Sequence, residues 1–197
     1  MRVRYAQVLS VAASAACLCV VAQDLVLRRS TDTLLVTAPR LHFLTGKPLE
    51  RMRNGASVTY DMQLSILSDN RQLVLRRGFE RFVVSYDLWE EKFSATRMRT
   101  ARTSASHLSA EAAEGWCLDH LSVPAGGLAT DKPVYVRLDI RAQEPKDRRT
   151  GDEDATISLG RLIEIFSRAG NPASGTQWRA EAGPISLQNI LQQNSKP

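Results

Sequence analysis

The chain has 197 residues, of which 43% are hydrophobic and 24% charged, values that exclude overall disorder and suit one domain with a sizeable core. Its formal net charge of +5 is spread along the chain, with no Lys/Arg stripe interleaved with aromatics, which argues against nucleic-acid binding.

Arg2 and Arg4 precede an apolar run from Ala6 to Val21, and Val20-Val21-Ala22 ends it on small residues. This is the outline of a secretory signal peptide, residues 1–22, cleaved after Ala22. Gln7, Ser10 and Ser14 dilute the run, which falls short of the roughly 20 apolar residues that cross a bilayer. Membrane contact is therefore expected only through an uncleaved signal segment, and the mature protein is expected in the periplasm or attached to a membrane by its N-terminus. A lipid-attachment reading at Cys17 is opposed by Ser14, where a large aliphatic residue belongs. Arg28-Arg29 follows the apolar run, the wrong side for a twin-arginine signal. Cleavage removes two arginines and no acid, so +5 falls to +3. It also removes Cys17 and Cys19 and leaves Cys117 as the one thiol. No internal disulfide is then possible, and an apolar core must hold the fold.

Residues 23–32 read as a polar linker. Thr33 to Leu44 reads as a strand with Leu35, Thr37, Pro39, Leu41 and Phe43 on one face, Pro39 marking an edge or bulge. In TGKPLERMRNG a short helical turn starts near Thr45 and Pro48 and ends at Asn54-Gly55. Val58, Tyr60, Met62, Leu64 and Ile66 alternate with Thr59, Asp61, Gln63 and Ser65, the pattern of a half-buried strand. Ser68-Asp69-Asn70 is turn chemistry, so residues 57–77 form a hairpin. A second hairpin follows, with Phe82, Val84, Tyr86 and Leu88 on one face and a break at Glu90-Glu91-Lys92. Two adjoining hairpins build an antiparallel sheet.

From Ser104 the pattern becomes helical. Ser106 or Ser109 caps a helix with Glu111 in its first turn, and Leu108, Ala112, Ala113, Trp116, Cys117 and Leu121 share a face. After a Gly-rich loop, Val134, Val136, Leu138, Ile140 and Ala142 mark another strand. Glu144 to Asp154 is a solvated charged loop, because consecutive Asp152, Glu153 and Asp154 lack the spacing of a calcium loop. Leu159, Leu162, Ile163 and Phe166 mark a short helix stopped by Gly170, Trp178 to Ala182 a last strand, and residues 191–197 a polar tail. The expected domain is residues 33–190.

The segment EGWCLDHL, Glu114 to Leu121, places a thiol, a carboxylate and an imidazole within four residues. A Cys117 nucleophile with His120 as base requires contact between them and a stabilised thiolate. Cys117 sits near a helix C-terminus, where the dipole opposes thiolate, so packing is the expected role. His42, His107 and His120 stand in no zinc-ligand spacing, and Gly126-Gly127 lacks the Lys and helix of a phosphate loop. Asp87, Glu90 and Glu91 read as a solvated strand end, and Trp89, Trp116 and Trp178 as core rather than a ligand platform. No catalytic, cofactor-binding or metal residue is assigned.

The phrases LERMRNGASVTYDMQL and RFVVSYDLWEEKFSATR, followed by LSAEAAEGWCLDHL, resemble an uncharacterised bacterial family, domain-of-unknown-function 4390, over about Leu34 to Trp178. The resemblance implies an exported or envelope protein, and it implies no catalytic residues. The Glu144 to Asp154 loop and a second hairpin with fewer tryptophans depart from that family's pattern.

The fold expected from these elements is mainly β. It is an antiparallel sandwich, immunoglobulin-like in general architecture, with two short helices and about six or seven strands; a half-open barrel is the second choice. The expected function is a non-catalytic module that binds an envelope protein or other macromolecule through a sheet edge or one sandwich end. The rivals are a carrier of an apolar small ligand, which needs a cavity between the sheets, and a thiol enzyme, which needs Cys117 exposed beside His120.

Overall fold

The computed structural model describes residues 25–30, 32–99, 101–128, 132–143 and 176–187. The signal segment 1–22, the charged loop 144–154, the helix expected near Leu159 to Phe166 and the tail 191–197 lie outside them. In chain order the described elements are β1 (Val26–Ser30), β2 (Thr33–Thr37), α1 (Gly46–Arg53), β3 (Val58–Leu67), β4 (Val74–Asp87), β5 (Lys92–Arg97), β6 (Thr103–Leu108), α2 (Ala110–Asp119), β7 (Ser122–Pro124), β8 (Pro133–Ala142) and β9 (Gln177–Ser186).

The strand alternation of β3 sets the architecture. Val58, Tyr60, Met62, Leu64 and Ile66 are fully buried, and in register they meet Val84 and Phe82 of β4 on one side and Ile140, Leu138 and Val136 of β8 on the other. The result is a six-stranded antiparallel sheet in the order β6-β5-β4-β3-β8-β9, and a three-stranded sheet β1-β2-β7 packs on its apolar face. Leu34 and Val36 of β2, Val123 of β7 and the β3 stripe belong to one buried cluster. The fold is therefore the expected β-sandwich with two helices. Among the described residues its division into six and three strands differs from the four and three of an immunoglobulin domain.

The two sheets meet backbone to backbone at Gly78. A Cβ there would lie 1.9 Å from the Ser122 carbonyl oxygen of β7, so glycine lets one backbone cross directly over the other. Further along β3, Phe43, Tyr60 and Trp178 form an aromatic knot with ring centroids 5.3 to 6.4 Å apart. The two edge-to-face pairs, Phe43 with Tyr60 and Phe43 with Trp178, each add roughly 0.5–1.5 kcal/mol beyond burial.

α1 ends as its sequence predicts. Gly55 has φ +83, and the amides of Gly55 and Ala56 donate to the carbonyls of Met52 and Arg51, a Schellman closure that satisfies the last turn. Met52 and Pro48 face the core.

Several expectations are corrected. Residues 26–30 are strand rather than linker: β1 pairs with β2 along its length, and Arg28 and Ser30, which gave the segment its polar look, are the exposed face of an edge strand. β2 stops at Thr37, and its buried stripe is Leu34, Val36 and Ala38, one residue out of step with the expected one. The chain turns at Pro39, where the Leu41 amide donates to the Ala38 carbonyl. β3 is buried on both faces, because Asp61, Gln63 and Ser65 are covered as well. Arg81 forks onto Asp61 at 2.6 and 3.0 Å and Gln143 donates to the same carboxylate, so flanking side chains roof the polar face of this central strand. Residues 103–108 form β6 rather than the start of a helix, which moves Leu108 onto a strand. β9 runs beyond Ala182 to Ser186.

Candidate functional site

α2 carries the thiol, and its local sequence explains its position. Ser109 caps it, its Oγ accepting the Ala112 amide at 3.2 Å, and Glu111 lies in the first turn. The buried face is Ala113, Glu114, Cys117 and Leu118, rotated from the expected one so that Ala112 is exposed and Trp116 half-buried. Cys117 has no exposed surface. Burial first, and the Glu114 charge second, push its thiol far above the usual range.

His120 does not serve Cys117. Its Nδ1 lies 2.8 Å from the Trp116 carbonyl oxygen, and its ring lies over the Trp116 indole with centroids 4.1 Å apart. Asp119 faces outward to Arg28 at 3.0 Å. The three chemical groups of EGWCLDHL thus point to three different places. Trp116 itself packs edge-to-face on Phe82 at 6.0 Å. A protonated, buried thiol without a base lacks what nucleophilic catalysis demands.

The residue of α2 that sequence reasoning missed is Glu114. Its Oε1 accepts the amides of Phe43 and Leu44 at 2.6 and 2.7 Å, and its Oε2 lies 2.9 Å from His42 Nδ1. The available signal was its place in the stripe Ala113, Glu114, Cys117, Leu118: an acid on a buried face must have found donors. This carboxylate joins α2 to the segment before α1 and acts as structure.

No three His, Cys, Asp or Glu side chains converge as metal ligands among the described residues. Arg40, Leu41, Arg179 and Ala180 line a cleft of about 170 Å³, smaller than the roughly 300–1,000 Å³ of small-molecule pockets. No helix among the described residues is long and apolar enough to cross a membrane.

The feature that packing does not account for is the tip joining β4 to β5. Trp116 and Trp178 are partly buried against the core, as expected, but Trp89 is 96% exposed and its neighbour Leu88 55%. Leu88 thus leaves the Phe82, Val84, Tyr86 face assigned to it, because β4 ends at Asp87. The tip is pinned. Asp87 Oδ1 accepts the amides of Trp89 and Glu90 at 2.8 and 3.1 Å. Those two bonds, Glu90's first, hold the Asp87 carboxyl below its usual range, and His107 lowers it further. Glu91 adopts φ +54, a left-handed conformation uncommon for residues other than glycine. Glu90 reaches His107 of β6 at 3.0 Å, and the Tyr86–Phe93 pair, 4.8 Å apart, closes the base of the loop. Of the carboxylates expected at a solvated strand end, Asp87 and Glu90 therefore hold a turn that presents an indole to solvent.

No family model, no curated protein and no solved structure matches this chain.

Proposed function

We propose that this protein is a non-catalytic binding module of a bacterial cell envelope, exported by residues 1–22 and related to the domain-of-unknown-function 4390 family, and that it grips its partner with the Leu88-Trp89 tip. The observation that carries the reading is a tryptophan 96% exposed on a turn held by four side-chain contacts. Tryptophan is among the residues that dominate binding energy, and a contact fixed in advance loses little entropy when it docks. The buried, raised thiol of Cys117 removes the support for the thiol-enzyme alternative, and the buried side chains clustered between the sheets do not favour an apolar-ligand carrier.

The test is a photo-crosslinking amino acid placed at position 89 in cells, with one at exposed Asp69 on the opposite hairpin as control. The reading expects a discrete adduct from position 89 alone, in an envelope fraction where the protein begins at Gln23. Equal labelling from both positions, or a protein confined to the cytoplasm with residue 1 intact, overturns it.

A further inference from the structure

The chain carries a counterpart to its own tip. Asp87, Glu90 and Glu91 outweigh Lys92 around Trp89, so the tip is acidic in a chain of net charge +5. The cleft near the start of β9 has the opposite sign: Leu41 and Ala180 supply apolar lining beside Arg40 and Arg179, and two guanidiniums against the one Asp139 carboxylate that Arg179 holds at 2.5 Å leave it net positive. Its volume of about 170 Å³ compares with the roughly 150 Å³ of a protein cavity that accepts benzene, so one aromatic ring fits. A guanidinium beside an indole adds cation–π attraction.

The two features cannot meet within one molecule. Arg179 is level with Asp139, Gln63 and Phe79 across the sheet, and eight residues separate Phe79 from Asp87. At about 3.3 Å per residue and about 4.8 Å per strand, the tip lies roughly 26 Å further along and three strands to the side.

We propose that the Leu88-Trp89 tip of one molecule docks in the Arg40/Leu41/Arg179/Ala180 cleft of a second copy, with Glu90 and Glu91 meeting Arg40 and Arg179 at the rim. This rests on the reading of the tip as the binding contact and names a second copy of this chain as its occupant. Tip and cleft are different surfaces, so the contact is head-to-tail and builds rings or open chains rather than a two-fold dimer. Two apolar side chains ringed by acids are poorly suited to an anionic membrane surface, which attracts basic segments.

Sedimentation velocity of the purified protein over a concentration series tests it. Self-association is expected, and Trp89→Ala should weaken it by about tenfold or more, the loss typical of a central aromatic contact. Arg40→Glu alone should abolish association, as should Glu90→Arg combined with Glu91→Arg. Mixing those two variants should restore assembly, because each tip then meets a cleft of opposite charge. Circular dichroism identifies variants that fold. A monomer at all concentrations up to about 1 mM, association indifferent to Trp89→Ala, or mixed variants that stay apart overturns the proposal. So does a Trp89-dependent emission shift on vesicles of zwitterionic and anionic phospholipid without self-association. If the monomer result accompanies a position-89 adduct to a different protein in cells, the self-docking inference fails while the binding-module reading stands.

Discussion

The side chain of Glu114 on α2 holds the backbone of Phe43, its Oε1 accepting that amide at 2.6 Å. The same oxygen takes the Leu44 amide at 2.7 Å, so one buried carboxylate satisfies two donors that enter the core with Phe43 and Leu44. Glu114→Ala leaves both amides buried and unpaired, which costs about 1–3 kcal/mol each. A loss of about 2–5 kcal/mol in urea unfolding is expected, with Glu114→Gln losing less because its amide oxygen still accepts. A Glu114→Ala protein as stable as the parent would remove the latch.

The outer oxygen of the same carboxylate sets a pH dependence. His42 is raised above its usual value, first by the hydrogen bond it donates to Glu114 and then by the charge of that group. A raised folded value means that the folded state holds the proton more tightly than the unfolded one. The contribution is therefore complete below about pH 6.5, the unpaired value, and is lost as pH rises through the raised folded value. His42 is largely exposed, so the effect is a modest slope in urea midpoint between neutral and alkaline pH. That slope should vanish in His42→Asn, and a slope of the same size in both proteins assigns it elsewhere.

The Cys117 thiol is sealed under α2 with no exposed surface. A thiol reagent should leave the native protein unlabelled for hours and react with one equivalent of thiol at that position once urea unfolds the chain. Cys117→Ala should keep the fold and cost about 1 kcal/mol, since a small buried side chain is shortened by one heavy atom. Rapid labelling in native buffer contradicts the packing of α2.

Much of this fold was legible because residues alternate by face where one face is buried. Val134 to Ala142 and Val58 to Ile66 carry a period of two, and both are strands at the expected places. What stayed hidden depends on neighbours that the sequence does not reveal locally. Asp61 looks solvent-facing until strands on both sides bring Arg81 and Gln143 onto it. β7 has three residues, too short for any period to show. Of the three tryptophans, Trp116 lies on α2 and Trp178 on β9, whereas Trp89 lies past the last paired residue of β4, so its exposure depends on where the hairpin turns. The Asp87 side chain, which accepts the amides of Trp89 and Glu90, fixes that point.

The crossing of β7 over β4 makes the sharpest stability claim. At Gly78 an added methyl group meets the Ser122 carbonyl oxygen at 1.9 Å and its carbon at 2.9 Å, atoms of a backbone fixed by pairing of Ser122 with Leu35. Neither partner has a rotamer to change, so Gly78→Ala must push the small sheet off the large one. Overpacking of this kind costs about 1–3 kcal/mol or more. Gly115→Ala is the control: its Cβ meets nothing within 4 Å and α2 is regular there, so alanine should stabilise by roughly 0.5–1 kcal/mol through helix propensity. Opposite shifts in thermal midpoint for the two glycines are expected. Equal shifts would mean that the sheets do not meet at Gly78, and the sandwich would need a different contact between its layers.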